Sequence, residues 1–298
     1  MTALSTALQR LLTDGVATAS AFTAKQRAEL EQFAISTRLV SFSKTGRSTV
    51  YQVVDSGSVY RYLQQLQPLT DAELGDHLPE RSRNIGKHRD SKHGKTRHDC
   101  GYVLMKAWAA NVVWQAGDNC LPVAQLTAKV GVAALQIKLG ETWRCNAPLL
   151  LVENLALFNQ CDWLPADFQG CLVYYQGQLS GLLLAWLGEY PRSDRLIFFP
   201  DYDGVGLNNY ARLAAARHPD SALQFYWLPD WQAKLVRFGL VGLWQKTSGQ
   251  FDHAIHQLDG LNALDANLRE LYALARQHGK ALEQEVVWLV MDKGEVVV

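Results

Sequence analysis

The sequence has few cysteines, and their arrangement excludes two common kinds of small scaffold. The 298 residues contain five cysteines, with no CxxC pair and no short spacing of the kind that metal sites use. This distribution argues against a zinc module and against a fold held by disulfide bonds, and it fits a reducing compartment. The five are Cys100, Cys120, Cys145, Cys161 and Cys171.

The sequence also lacks the apolar segments that membrane insertion or secretion requires. No stretch approaches the run of about 18 apolar residues needed to cross a bilayer. Residues 1–15 do not combine a basic region with an apolar run, as a secretion signal would. With 48% hydrophobic residues the chain can bury the cores of two or three domains. We therefore predict a soluble, cytoplasmic protein with no membrane partner.

An excess of charge of either sign is absent, because 29 basic residues balance 29 acidic ones. Any electrostatic argument for a partner must therefore come from where the charges lie. The basic residues are concentrated between residues 81 and 97. This segment contains seven basic side chains and a single acid, Asp90. Such a segment could follow a DNA backbone without reading its sequence, although a solvated loop is the alternative. The seven are Arg81, Arg83, Lys87, Arg89, Lys92, Lys95 and Arg97.

The first part of the chain has the pattern of two short helices followed by a hairpin. Apolar residues recur at helical spacing in residues 4–13 and 24–36, and Thr23 with Gln26 forms a capping-box pattern before the second helix. Residues 38–42 and 49–54 are strand-like and flank a polar turn.

This order of elements favours a winged-helix-like region over residues 1–67. Its wing would present Lys44 and Arg47 to double-stranded DNA, and a generic small α+β domain is the alternative. Residues 68–100 lack apolar periodicity, so we interpret them as a basic linker or arm.

Residues 101–145 have the pattern of a helical connector. Apolar periodicity predicts a helix over residues 102–114, and a second run over residues 123–139 that breaks near Gly131.

From Pro148 onward, apolar runs alternate with helical stretches, which is typical of a mainly parallel sheet with helices on both faces. We assign residues 146–298 to this α/β domain. The predicted strands are 149–152, 172–175, 195–199 and 223–228, and the predicted helices between them are 154–159, 178–190 and 206–217.

Three carboxylates follow strands of this predicted sheet. Glu153 comes directly after the first strand, and Asp201 and Asp203 lie in the turn after the third. Ligands of such sheets bind at the carboxyl ends of the strands. Converging carboxylates form the hard oxygen shell that Mg²⁺ or Mn²⁺ requires. Taken alone, a DxDG sequence is more often an ordinary turn.

The order of these acids resembles the TOPRIM domain of primases, topoisomerases and several nucleases. The matching phrases are LLLVENLALF, which contains Glu153, and RLIFFPDYDGVGLNNYARL, which contains Asp201 and Asp203. Gly177 follows the second strand, where that family often has a glycine. Pro200 departs from the small residue expected before the DxD. The resemblance implies a metal-dependent phosphodiester hydrolase with these three acids as catalytic and metal-binding residues.

A closer resemblance links most of the chain to the nuclease subunit of the bacterial Wadjet anti-plasmid systems. That subunit combines a winged-helix region with a C-terminal TOPRIM domain and a late acidic Glu-Gln-Glu, which here is Glu283-Gln284-Glu285. The resemblance implies a homodimeric DNA endonuclease with Mg²⁺ or Mn²⁺, controlled by condensin-like subunits in plasmid defence. Glu283 and Glu285 are further candidate metal ligands, and a solvated surface position is the alternative for both. We predict a helical segment over residues 261–285 broken by Gly279, and a short strand over residues 288–290.

Other functions remain open from the sequence. Tyr51, Tyr60, Tyr62 or Tyr102 could act as a topoisomerase-like nucleophile, although none lies in a motif that marks one, so we favour water. The chain could also be a non-catalytic DNA-binding subunit whose acids only shape a turn. A phosphoryl-transfer enzyme would leave Glu153 without a role, and a transcription factor would leave the C-terminal half unexplained.

Overall fold

The computed structural model describes residues 2–46, 48–66, 69, 74, 77–91 and 99–290. The chain divides into two compact units, Met1–Arg97 and His98–Val298, which are described separately. Among the described residues, none of the helices combines the length and the apolar character that crossing a membrane requires.

The first unit contains helices and a small antiparallel sheet in which β3 lies between β1 and β2. Its helices are α1 (Ala3–Asp14), α2 (Ala24–Thr37), α3 (Ser56–Leu66) and α4 (Glu80–His88). Its strands are β1 (Val16–Thr18), β2 (Val40–Thr45) and β3 (Ser48–Val53), and a short 3₁₀ helix spans Ala19–Ala21.

The two predicted helices and the predicted hairpin of this unit are confirmed. The Thr23 hydroxyl accepts a hydrogen bond from the Gln26 amide at 3.2 Å, and the Gln26 side chain accepts one from the Thr23 amide at 2.9 Å. This reciprocal cap satisfies N–H groups that the first turn of α2 would otherwise leave without partners. The core beneath the sheet is built from fully buried leucines of both helices and from Tyr51 of β3.

The prediction that residues 68–100 lack regular structure is wrong at α4. This helix begins after Pro79, and it has Glu80 in its first turn and Lys87 and His88 in its last. These charges complement the helix dipole and so stabilise the helix. A prediction based only on apolar periodicity does not take such charges into account. Gly86 packs closely on the side chains of leucines 69 and 74, so a short apolar contact anchors an otherwise polar helix.

The second unit is an α/β structure around a mixed sheet of six strands, in the order β12-β11-β9-β10-β4-β7. The four strands β12, β11, β9 and β10 are parallel, and β4 and β7 are antiparallel to their neighbours. A separate three-stranded sheet has the order β6-β5-β8. The strands are β4 (Cys100–Trp108), β5 (Trp114–Ala116), β6 (Asn119–Leu121), β7 (Ala133–Lys138), β8 (Arg144–Cys145), β9 (Leu149–Val152), β10 (Gly170–Tyr174), β11 (Arg195–Phe199) and β12 (Ala222–Phe225).

The helices of this unit alternate with the parallel strands, as predicted, and then form a helical C-terminal part. They are α5 (Val123–Val130), α6 (Leu155–Asn159), α7 (Gly181–Glu189), α8 (Gly204–Ala216), α9 (Trp231–Phe238), α10 (Val241–Gly260) and α11 (Ala266–His278). A 3₁₀ helix spans Gln284–Trp288.

The predicted helix over residues 102–114 is wrong, because most of this segment is the strand β4. Val103 and Met105 are buried on one face, and the strand pairs with both β10 and β7. Its apolar residues fit the period of a helix and the period of a strand. Pairing with two neighbouring strands stabilises the strand. Residues 101–145 are therefore no helical connector, since β4 and β7 complete the main sheet.

The apolar run over residues 123–139 forms a helix, α5, followed by a strand, β7. Gly131 ends α5 with a left-handed backbone, at φ 84°, and β7 follows. The predicted break near Gly131 is therefore confirmed.

The C-terminal segment confirms one prediction and corrects another. Gly279 ends α11 with a left-handed backbone at φ 61°. The predicted strand over residues 288–290 is wrong, because Trp288 ends a 3₁₀ helix and the next two residues have no regular structure. Among the described residues, no strand pairs with this segment, so its apolar character alone does not make a strand.

Candidate active site

The predicted carboxylates lie at the point in the sheet where the order of the strands reverses. From β9 the chain moves to β10 on one side, and then crosses over to β11 on the other. Such a switch point opens a crevice at the carboxyl ends of the strands. Glu153 follows β9, Tyr175 follows β10, and Asp201 follows β11 after one proline.

The DYDG turn after β11 places two aspartates beside the crevice and anchors the residue between them. The Tyr202 side chain is fully buried, and its hydroxyl donates to the carbonyl of Tyr226 at 2.7 Å and accepts from the amide of Leu228 at 2.8 Å. Asp203 caps α8, because its Oδ1 accepts from the Gly206 amide at 2.7 Å. Burial raises the pKa of Asp203 above its ordinary value, and hydrogen bonds from the first turn of α8 oppose that rise.

Two glycines allow this turn to pack without distortion. A Cβ atom at Gly204 would lie 1.9 Å from the carbonyl oxygen of Thr247 in α10, and one at Gly206 would lie 2.1 Å from that of Asp201. Neither position can hold a side chain, because both contacts are with backbone atoms that cannot give way. Close packing of α8 on α10 therefore fixes the height of the aspartates above the sheet.

Asp201 is the acid whose ionisation is most disturbed. Its Oδ1 accepts a hydrogen bond from the Gln284 amide at 2.8 Å. Burial raises its pKa to about 7; the Gln284 hydrogen bond opposes the shift, and the charges of Asp203, Glu153 and Glu285 add to it. Ionising this group is costly because several negative charges occupy one partly desolvated place.

Glu153 lies near the same negative charges, and its hydrogen-bond partner is a tyrosine. The Tyr175 hydroxyl donates to Glu153 Oε2 at 3.4 Å. Burial raises the pKa of Glu153; that hydrogen bond lowers it, and Asp203 and Glu285 raise it further. The Tyr175 ring is buried and stacks on Phe198 at 5.6 Å between ring centroids.

The C-terminal segment brings a fourth carboxylate to this place. Backbone hydrogen bonds pair Leu282 with Tyr202 in both directions, at 2.8 and 3.2 Å. The segment then runs past the strand ends, and Glu285 Oε1 accepts a hydrogen bond from the Asn154 side chain. Glu283 and Glu285 are both exposed, but only the charge of Glu285 is among those that act on Glu153 and Asp201.

The structure therefore brings together Glu153, Asp201, Asp203 and Glu285. Within the described residues, no lysine, arginine or histidine forms an ion pair with any of these four. In the same part of the chain, no three or more Asp, Glu, His or Cys side chains are arranged so that they could hold a metal ion together. The donors are carboxylate oxygens, which suit Mg²⁺ or Mn²⁺, and a divalent cation would supply the missing positive charge.

Three residues of this site were not predicted from the sequence: Tyr175, Asn154 and the amide of Gln284. A signal existed for two of them. Tyr175 is the last residue of the predicted strand over residues 172–175, so attention to strand ends, which selected Glu153, could also have selected it. Gln284 lies inside the acidic phrase of the C-terminus. Its contact joins positions 83 residues apart, and no local pattern predicts that.

The residues predicted to contact DNA lie in the first unit. Lys44 is exposed on β2, and Arg81 and Arg89 are exposed at the two ends of α4. Arg83 and Lys87 are half-buried in the same helix. Arg47, Lys92, Lys95 and Arg97 lie outside the described residues.

Among the tyrosines considered as nucleophiles, Tyr51 is fully buried, and its hydroxyl donates to Glu31 at 2.8 Å. Tyr60 and Tyr102 are exposed, on α3 and β4.

Comparison with known proteins gives the chain a family without an activity. A search of proteins with curated functions found no match. A family model described as a domain of unknown function, DUF7281, matches residues 101–290, which is nearly two thirds of the chain. The match begins in β4 and ends after the 3₁₀ helix, so it contains all four carboxylates and all of the six-stranded sheet except its first residue, Cys100. The chain belongs to the DUF7281 family.

Proposed function

We propose that this protein is a metal-dependent DNA endonuclease of the TOPRIM type. The observation that carries the proposal is the meeting of Glu153, Asp201 and Asp203 at the switch point of the sheet, with no cationic partner among the described residues. The mixed sheet, with its four parallel strands, and the helices and hairpin of the first unit support a TOPRIM domain preceded by a winged-helix-like region.

The four carboxylates would hold Mg²⁺ or Mn²⁺. When bound, the cation would neutralise charge on the scissile phosphate and acidify a coordinated water. Asp201 and Asp203 are held rigidly by backbone N–H groups, so they are suited to fixing the position of the cation. Glu153 is held through one oxygen only, which leaves its other oxygen free to bind the cation.

Water is the nucleophile that this arrangement favours. Tyr175 contacts the acids directly, because its hydroxyl is hydrogen-bonded to Glu153. Burial and the neighbouring carboxylates raise the pKa of Tyr175 well above its ordinary value, which makes phenolate formation costly. A tyrosine mechanism would therefore need a residue from elsewhere in the chain.

Substrate contact and control belong to the same proposal. Double-stranded DNA would be held by exposed basic residues of the first unit, such as Lys44, Arg81 and Arg89. Pairing two active sites on opposite strands calls for a homodimer. The resemblance to the Wadjet nuclease subunit supports condensin-like partners that restrain the enzyme and direct it to plasmid DNA.

The proposal is tested by incubating purified protein with supercoiled and linear DNA in Mg²⁺, in Mn²⁺ or in chelator. We expect cleavage with either metal and none with chelator. Asp201→Asn keeps the acceptor for the Gln284 amide and removes the charge, so it should be inactive but folded. Asp118→Asn is the matched control, because Asp118 is exposed in the turn between β5 and β6.

The outcomes separate the candidate functions. Metal binding and DNA binding without cleavage would favour a non-catalytic DNA-binding subunit. Cleavage that persists in chelator and in Asp201→Asn would refute the assignment of the site.

A further inference from the structure

A common feature of the four carboxylates is that each has one oxygen engaged by a hydrogen-bond donor of the protein. Asp201 Oδ1 accepts from the Gln284 amide, and Asp203 Oδ1 accepts from the Gly206 amide. Glu153 Oε2 accepts from the Tyr175 hydroxyl, and Glu285 Oε1 accepts from the Asn154 side-chain amide. Two of these donors are backbone groups that cannot be mutated away, and two are side chains that can.

The two side-chain donors are themselves held in place. The Tyr175 side chain is only 7% exposed, and its ring is fixed by stacking on Phe198, which stacks in turn on Tyr210. Asn154 caps α6, because its Oδ1 accepts from the Ala156 amide at 2.7 Å, and this bond directs its NH₂ group to Glu285. Each donor therefore meets its glutamate from a fixed direction, which restricts the rotation of that carboxylate.

A second feature at this place is a buried side-chain oxygen that no donor of the described residues engages. The Gln284 side chain is 1% exposed, and its Nε2 donates to the carbonyl of Phe199, the last residue of β11. Its Oε1 is buried and accepts no hydrogen bond from the described residues. A buried oxygen without a donor is costly unless a water or a cation satisfies it. The residue that orients Asp201 thus also carries an unsatisfied oxygen.

We propose that Tyr175 and Asn154 are positioning residues that hold Glu153 and Glu285 to one free oxygen each, and so make the site prefer Mn²⁺ or Mg²⁺ to Ca²⁺. This inference rests on the proposed metal site. Mg²⁺ takes single oxygens in a tight octahedral shell and keeps several waters, whereas Ca²⁺ takes six to eight oxygens and often binds both oxygens of a carboxylate. A glutamate with one oxygen already engaged is a poor two-oxygen ligand.

The test measures the affinities of Mn²⁺ and Ca²⁺ by titration calorimetry, without DNA and at one pH. The wild-type protein should bind Mn²⁺ at least about 10-fold more tightly than Ca²⁺. Tyr175→Phe keeps the ring and removes the donor, and Asn154→Ser keeps a residue type that caps helices well and removes the NH₂ group. Each should reduce the preference for Mn²⁺ by about 3- to 10-fold, and the double variant should reduce it further.

Two neighbouring residues provide matched controls. Tyr174 is adjacent on β10, where its ring packs on Phe158 at 5.5 Å, and Asn159 is exposed at the end of α6. Tyr174→Phe and Asn159→Ser should leave the ratio of the two affinities unchanged. Melting curves without metal identify any variant that fails to fold, and each single variant tests its own glutamate independently.

The failure of this inference differs from the failure of the proposed function. A wild-type protein that binds neither cation would overturn both. Binding with an unchanged Mn²⁺ to Ca²⁺ ratio in folded Tyr175→Phe and Asn154→Ser would overturn the positioning role alone. Selective binding without DNA cleavage would uphold the positioning role and refute the nuclease.

Discussion

The two ends of the parallel strands both bury charge, but only one end balances it. At the amino end of β11, Arg192 is fully buried and its guanidinium lies 4.0 Å from the centre of the Trp186 ring. It donates to the carbonyls of Trp186, Glu141 and Trp143 at 2.8, 2.5 and 3.1 Å. Its contact with Glu189 is an ion pair at 3.5 Å rather than a hydrogen bond.

At the carboxyl end, four carboxylates approach each other, and no basic side chain among the described residues forms an ion pair with them. Burial lowers the pKa of Arg192 to about 10, so it stays charged at neutral pH, and Glu189 opposes that shift. Burial raises the pKa of Asp201 to about 7, and its acidic neighbours reinforce the shift. A buried charge next to an opposite charge serves the fold, whereas clustered like charges without an opposite charge are typical of a binding site.

The largest effect is expected from removing the charge of Asp201. Asp201→Asn should reduce metal-dependent cleavage by at least about 100-fold, because the cation loses a rigid ligand. Its melting temperature without metal should be equal to that of the wild type or higher, because the substitution relieves clustered negative charge. Cleavage rates and melting curves test this together. A destabilised variant would indicate that Asp201 serves the fold as Arg192 does.

The opposite result is expected at the other end of the sheet. Arg192→Met should destabilise the protein by about 3 kcal/mol, because three carbonyls lose their donor and Glu189 loses its partner. Chemical denaturation measures this loss. Arg195→Met is the control, since Arg195 is exposed at the start of β11. Metal affinity of folded Arg192→Met should be unchanged, and a changed affinity would contradict the division between the two ends.

The pH dependence of stability should distinguish the carboxylate site in the metal-free protein. The folded pKa of Asp201, about 7, lies above its ordinary value of 3.8, so the folded state binds more protons than the unfolded state between these values. Stability must then fall as pH rises from about 4 to about 7, by up to roughly 4 kcal/mol from this group.

Asp201→Asn removes that contribution, so the difference in unfolding free energy between the two proteins should grow across this pH range. Denaturation at pH 5.0 and pH 7.5 measures it. A constant difference would show that Asp201 ionises normally.

The smallest effect is expected from the basic residues of α4. If Arg81 and Arg89 bind phosphates, replacing both with glutamine should reduce the slope of log affinity against log salt by about 0.9 for each phosphate that is no longer neutralised. Fluorescence anisotropy with duplex DNA at several salt concentrations measures the slope. Lys129→Gln, an exposed change on α5, is the control. An unchanged slope would mean that this helix does not bind DNA.

The sequence could predict those elements and site residues that are marked by a local pattern. Unbroken apolar runs such as Leu149–Val152 predicted parallel strands, and the rule for strand ends then located Glu153 and Asp201. The strand β4 was mistaken for a helix because its apolar residues fit both periods, and pairing with β10 and β7 decided between them.

The rest of the site depends on contacts between distant parts of the chain. The hydrogen bond from Asn154 to Glu285 joins residues 131 positions apart. The acidic phrase at the C-terminus offered Glu283 and Glu285 equally. The structure distinguishes them, because Glu285 accepts a hydrogen bond from Asn154 and its charge acts on Glu153 and Asp201, whereas Glu283 is not among those charges.

The central claim is that the carboxylate end of the sheet is a cation site, and direct binding of Mn²⁺ tests it most simply. Free Mn²⁺ gives an electron paramagnetic resonance signal that protein-bound Mn²⁺ largely loses, so a titration counts bound ions without DNA or catalysis. We predict saturable binding that chelator reverses, that Asp118→Asn retains and that Asp201→Asn loses. A wild-type protein that leaves the signal of millimolar Mn²⁺ unchanged, or an Asp201→Asn variant that binds as the wild type does, would contradict the claim.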